Sequence, residues 1–379
     1  MAKRSLFVEV GSDQPRVQPR GGMIDAVGRG ARGGVRGWLV ALFLLVALMI
    51  AIGGLTRLSD AGLSITEWKP LSGALPPRDA AAWDAEFARY QAIPQYQLVT
   101  KGMALADFKL LYWWEWGHRQ LGRVIGLVWF AGFAGFLLAR RIPAGWTGRL
   151  LWVGALGGLQ GAVGWWMVSS GLAGTLVSVA SYRLAVHLGL AFVIFGFIGW
   201  YVLALGQSEA ALIKARRSAE TGLGRWTNGL VVLAFVQVLL GALVAGIDAG
   251  RGYTDWPWMA GQFLPPEAFV IEPAWRNFLE NPGLVQFVHR MAGYLLVLSG
   301  LALWVAARRS VNRATRSAFS AVAAMLLLQM GLGIFTVLYA APLHLALAHQ
   351  TGAILLWVLI LRARFQCRYP EVEMIRRAA

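Results

Sequence analysis

The chain contains only five histidines, His118, His187, His289, His344 and His349, and all of them fall in or beside long apolar runs. An ionisable side chain within hydrocarbon is costly, so each is a candidate for function. For any one histidine alone, a hydrogen bond to a neighbouring helix or an interfacial position explains it as well. The pattern argues for more. His118 and His187, and again His289 and His349, come from non-adjacent apolar segments, each a turn or two from the same membrane surface. With a rise of about 1.5 Å per residue, the members of each pair lie at similar depth. Two imidazoles facing each other across a helical bundle can ligate haem iron from both sides. His344 and His349 stand about 500° apart around a helix and cannot address one iron. His349 is preferred because it matches His187 in an internal repeat, which leaves His344 interfacial or in support. Zinc, the rival metal, would need further close ligands, and the chain has neither an HExxH motif nor a cysteine set.

Glu115 precedes His118 by one helical turn, on nearly the same face. A carboxylate there could move a proton or stabilise a developing positive charge; the plainer reading is a solvated residue at the helix mouth. The matching position in the second half is Gln286, an asymmetry that assigns chemistry to the first pair and a permanent cofactor to the second. Arg119 and Arg290 follow the two histidines directly. A guanidinium matches a carboxylate bidentately, so these residues suit haem propionates, with phospholipid headgroups as the alternative. Gln160 and Gln329 read as polar links between membrane helices.

These residues need elements to place them. Of 379 residues, 57% are hydrophobic, with a mean hydropathy of +0.55. That excess matches repeated membrane spans. A span needs roughly 20 mostly apolar residues. The sequence predicts eight, near 37–56, 117–139, 148–168, 182–205, 227–247, 284–306, 318–340 and 342–362. The expected fold is an all-α integral membrane protein with eight transmembrane helices in two tandem, pseudo-symmetric four-helix bundles. Residues 37–205 form the first bundle, 206–226 a cytoplasmic linker and 227–362 the second bundle. A flexible cytoplasmic tail at 1–36 and a cytoplasmic tail at 363–379 flank them. Cys367, the only cysteine, then falls beyond the last helix and can form no intramolecular disulfide.

The formal net charge is +16. It concentrates in the tails and in the short loops at 140–149, 206–226 and 307–317, while the remaining segments are close to balanced. By the positive-inside rule both termini are cytoplasmic and the histidine pairs face the periplasm of a bacterial inner membrane. Because the basic residues flank apolar spans, nucleic acid is not an expected partner.

The repeat supports this division. Gly53-Gly54-Leu55, Asp60-Ala61-Gly62 and Thr66-Glu67-Trp68 parallel Gly241-Ala242-Leu243, Asp248-Ala249-Gly250 and Thr254-Asp255-Trp256. His118-Arg119 parallels His289-Arg290, Gln160-Gly161-Ala162-Val163-Gly164 parallels Gln329-Met330-Gly331-Leu332-Gly333, and His187 parallels His349. Both halves enter from the cytoplasm, so the repeat is a parallel one.

The strings Gly53-Gly54-Leu55-Thr56-Arg57-Leu58-Ser59, Glu67-Trp68-Lys69-Pro70, Glu115-Trp116-Gly117-His118-Arg119, Phe287-Val288-His289-Arg290 and Leu347-Ala348-His349-Gln350 resemble those of the haem A synthase family in its alphaproteobacterial and mitochondrial form. The resemblance runs from about residue 37 to 362. It implies oxidation of the C8 methyl of haem O to the formyl group of haem A, for haem-copper oxidases. It further implies a resident haem b on His289 and His349, and a haem O substrate and haem A product on His118 and His187, with the family's functional glutamate at Glu115. The implied partners are haem O, haem O synthase, cytochrome oxidase assembly factors, an electron donor and the lipid bilayer, with homo-oligomerisation open. The cysteine pair of some relatives has no counterpart here. A dihaem membrane cytochrome b for quinol-linked electron transfer is the alternative reading of the same four histidines.

Overall fold

The computed structural model describes residues 23–371 and contains helices without a β-strand among them. In chain order the helices are α1 (Met23–Leu58), α2 (Ala80–Gln91), α3 (Pro94–Leu98), α4 (Leu105–Leu138), α5 (Thr147–Val168), α6 (Ser181–Leu205), α7 (Glu209–Arg217), α8 (Thr221–Gly246), α9 (Asn277–Glu280), α10 (Pro282–Ala307), α11 (Arg313–Leu338) and α12 (Leu343–Arg368). Local chemistry sets several starts. Asp79 caps α2 by accepting from the Ala82 amide at 2.8 Å. Asn281 caps α10 by accepting from Leu284 at 2.9 Å, with Pro282 in the first turn where no amide is needed.

Seven helices among the described residues are long and apolar enough to cross a membrane: the Gly30–Leu58 part of α1, together with α4, α6, α8, α10, α11 and α12. The protein is therefore a multi-pass membrane protein. Helix α5 has 22 residues, a spanning length, but its glycines and Gln160 dilute its apolar content.

Helix α1 packs against α4 and α6, and α5 packs against α6 and α4. In the second half α10 packs against α8 and α11, and α12 against α11 and α8. Helix α6 also lies on α8 and α12, and α1 touches α12. The core at this junction is a helical stripe of Leu39, Leu42, Val46 and Ile50 from α1, meeting Phe192, Phe195 and Ile198 from α6 and Trp357 and Ile360 from α12.

Several boundaries differ from the sequence expectation, among them the start of α4 at Leu105, ahead of the expected 117. Helix α1 begins at Met23, ahead of the expected 37, and the rest of the N-terminal tail lies outside the described residues. The expected linker at 206–226 is largely helical, as α7 and the first turn of α8. Cys367 is not beyond the last helix but in the final turn of α12, and is only 1% exposed. It packs beside Thr227, and its carbonyl accepts from the Glu220 amide at 2.8 Å. Helix α12 continues past the apolar window because Phe365 and Cys367 still have a face of α8 and α6 to cover.

The segment between α1 and α4 builds a small core of its own. Helix α2 contributes Tyr90, fully buried against Phe108, together with Leu63 and Tyr112. Asp60 and Asp248, equivalent in the repeat, both adopt the left-handed conformation, with φ of 53° and 52°. Arg57 joins them, donating to Asp60 Oδ1 at 2.9 Å and to Asp248 Oδ2 at 3.1 Å.

Candidate haem site

Helices α4 and α6 carry His118 and His187, and α10 and α12 carry His289 and His349. All four are half-buried, whereas His344 is exposed. The ring centroids of His289 and His349 lie 6.4 Å apart, with planes at 81°. A metal–imidazole bond is roughly 2 Å long, so two rings gripping one iron have centres about 6 Å apart. The second pair meets that separation.

Each imidazole rests on a glycine of a neighbouring helix. A Cβ on Gly164 would lie 3.0 Å from His187 Cε1, one on Gly241 3.3 Å from His289 Cε1, and one on Gly333 3.0 Å from His349 Cε1. On Gly53 it would lie 3.2 Å from His118 Nε2. Any larger residue at these places would displace a ring, so the four glycines form the cradle that admits the imidazoles.

Glutamines hold three of the four. Gln160 Nε2 donates to the His187 carbonyl at 3.0 Å, Gln237 Nε2 to the His289 carbonyl at 3.0 Å, and Gln329 Nε2 to the His349 carbonyl at 2.6 Å. Gln160 and Gln237 also place Nε2 3.2 Å from the Nδ1 of their histidine. His349 Nδ1 is buried with no hydrogen-bond partner among the described residues. Among the described residues no three His, Cys, Asp or Glu side chains converge as a metal site. Paired imidazoles between apolar helices fit haem and not tetrahedral zinc.

The polar residues beside the histidines hold the outer loops. Glu115 is 2% exposed, so it is not a solvated residue at the helix mouth. Its Oε2 accepts from Ser64 Oγ at 2.7 Å and from the Ile65 amide at 2.8 Å, and its Oε1 accepts from Arg119 Nη2 at 2.6 Å. Arg119 also donates to the carbonyls of Ile65 at 2.7 Å and Glu67 at 3.1 Å. Arg123, one turn on, donates to Pro70 and Lys69, both at 2.9 Å. The second half repeats the device with neutral chemistry. Gln286, 3% exposed, donates to the Tyr253 carbonyl at 3.1 Å and accepts from Arg290 at 3.1 Å. Arg290 donates to the carbonyls of Tyr253, Asp255 and Trp258, each at 3.0 Å. Both arginines thus direct their donors to loop carbonyls around the mouth of the histidine pair.

Electrostatics in the loops follow the same parallel. The Gly261 amide, with that of Ala260, holds the Asp255 carboxyl below its usual range. The hydrogen bond from Lys69 does the same for Glu67, the equivalent residue of the first half.

Sequence reasoning missed Gln237, and it gave the four glycines no individual role. Gln237 stands one helical turn before Gly241, where the first half has Met49, so the repeat offered no parallel to mark it.

The cytochrome oxidase assembly protein family (COX15-CtaA) matches residues 36–361. Among curated proteins, the heme A synthase of Dinoroseobacter shibae is 62% identical over 378 residues, covering 99% of each chain. That of Paracoccus denitrificans is 60% identical over 377 residues, again 99% of each chain. That of a Ruegeria species is 59% identical over 379 residues, covering 99% of this chain and all of its own.

Proposed function

We propose, for a chain that belongs to the cytochrome oxidase assembly protein family, the activity its relatives are named for: it is a heme A synthase, oxidising the C8 methyl of haem O to the formyl group of haem A. The observation that carries this reading is the His289–His349 pair at a ring-centre separation of 6.4 Å, with all four histidines seated on glycines of neighbouring helices.

In this reading α1, α4, α5 and α6 make the first four-helix bundle and α8, α10, α11 and α12 the second, with α5 as the eighth span. Residues 37–205 and 227–362 are the two units, and both termini lie in the cytoplasm. His289 and His349 hold a resident haem b, which supplies an electron-transfer centre when bound. His118 and His187 hold the substrate haem toward the periplasmic side. Glutamines keep the imidazoles aimed into the slot, and the apolar helix faces keep water from the reacting methyl carbon.

Glu115 sits one turn from His118 with both oxygens engaged. We assign it two linked roles, fixing residues 64–67 over the mouth of the first site and keeping a negative charge near the substrate. Arg119 and Arg290 serve their haems through the loop backbones they clamp. Two successive hydroxylations of the methyl, each taking one dioxygen with two electrons from a separate redox protein and releasing one water, followed by loss of water from the geminal diol, give the formyl; haem O synthase as supplier and oxidase assembly factors as recipients complete the proposal.

The test is expression in a host that makes haem O but not haem A, followed by extraction and mass analysis of the pigments. Haem A in the extract is the expected outcome. An extract holding haem O and haem b but no haem A, from folded protein, contradicts it.

A further inference from the structure

The two halves differ at one position beside the cradle. Gln237 precedes Gly241 by four residues, and Met49 precedes Gly53 by the same interval. Their side chains occupy equivalent space. A Cβ on Gly293 would lie 3.1 Å from Gln237 Nε2, and a Cβ on Gly122, the matching residue of α4, would lie 3.5 Å from Met49 Cε. Gln237 uses this position to donate to the His289 carbonyl and to approach its ring. A thioether has no donor to offer, so Met49 can do neither.

His118 is consequently the one member of the four with no side-chain hydrogen bond to its ring or carbonyl among the described residues. It is also the one turned differently. The other three rings bring Cε1 nearest their glycine, whereas His118 brings Nε2 nearest Gly53. His187 and His289 each have a glutamine amide at the ring and His349 has one on its carbonyl, whereas the corresponding place beside Gly53 is taken by Met49, a flexible apolar chain with no donor.

We infer that His118 is the releasable ligand, the side chain that swings off the haem of the first site so that haem O can be taken up and haem A given out. This rests on the reading of the first pair as the substrate site. Substrate and product must exchange on every turnover, while a resident haem must not, and Met49 against Gln237 separates the two behaviours. His187, pinned by Gln160, remains the stationary side of the substrate site. Met49 and Gln237 are positioning residues that act through the imidazole beside them.

The experiment uses the full-length protein in detergent, loaded with both haems and mixed with excess apomyoglobin as haem acceptor. Transfer is followed by absorbance and the transferred haem is identified by mass. The wild type is expected to give up its farnesylated haem and keep haem b. Met49→Gln is expected to slow that transfer about tenfold, the worth of roughly one buried hydrogen bond, while Met49→Leu, similar in volume and without the amide, releases as the wild type does. Gln237→Met is expected to release haem b about tenfold faster, a readout that does not depend on the first site. If Met49→Gln, with its haem b spectrum intact, releases at the wild-type rate, or if Met49→Leu slows release as much, the inference is overturned. A wild type that binds no farnesylated haem in the first half overturns the substrate-site reading and this inference with it, whereas unchanged release from a loaded site overturns this inference alone.

Discussion

Arg119 Nη2 donates to Glu115 Oε1 at 2.6 Å across one turn of α4, and this pair carries the first outer loop on its far side. Removing the carboxylate would leave a largely buried guanidinium without its counter-charge. Glu115→Ala is expected to lower stability by about 3 kcal/mol and to open residues 59–71 to protease. Glu115→Gln restores the pairing that Gln286 and Arg290 use in the second half, so it should cost about 1 kcal/mol and keep the loop closed. Thermal unfolding and limited proteolysis check the structural part. If Glu115→Gln folds, keeps haem b and still loses haem O conversion, the negative charge itself is required. Full conversion by that variant would reduce Glu115 to a loop anchor.

The glycine cradle makes a prediction confined to one half at a time. Gly333→Val would press on His349, and Gly164→Val on His187. Overpacking of this kind costs about 1–3 kcal/mol, or roughly tenfold to a hundredfold in haem affinity. Gly333→Val should lose haem b absorbance and keep haem in the first site, and Gly164→Val should do the reverse. Equal loss of both haems in each variant would show that the cradle acts through global folding.

Acid should loosen the outer loops only well below neutrality. Asp255 and Glu67 have folded-state pKa values below the ordinary 3.8 and 4.5, through the Gly261 amide and Lys69 respectively. A depressed carboxylate pKa adds stability that is present above the ordinary value and is lost as pH falls through the lower, folded one. Pepsin cleavage within residues 59–71 and 252–262 should therefore rise only below about pH 4, and Asp255→Asn should flatten the response of the second loop. Cleavage that rises between pH 7 and 5 would assign the loops' acid response to other groups.

Much of this was legible in the sequence because the informative residues are rare. Five histidines in a chain this apolar, four of them recurring in register, point to paired ligands before any coordinates exist. The equivalence of Asp60 and Asp248 persists to their backbone angles. Other features depend on contacts that spacing does not encode. Glu115 could be placed beside His118, but its partners Ser64 and Ile65 lie 51 and 50 residues away, so its burial was hidden. Arg119 and Arg290 carry charge suited to propionates, yet folding turns them to loop carbonyls, which no charge pattern announces. Gln237 went unremarked because only the contact with His289 marks it out from the rest of an apolar helix. Cys367 fell outside an apolar window and still lies inside a helix, because burial against α8 continues where hydropathy has declined.

The central claim is that each histidine pair holds one haem, and that the two haems differ in kind. Haems extracted from purified single variants and identified by mass test it most directly. His118→Ala is predicted to retain haem b and lose the farnesylated haem, and His349→Ala to lose haem b and retain the farnesylated one. Haem b recovered from both sites of the wild type, or both haems surviving in either variant, would contradict the account and favour a dihaem cytochrome or a different ligand set.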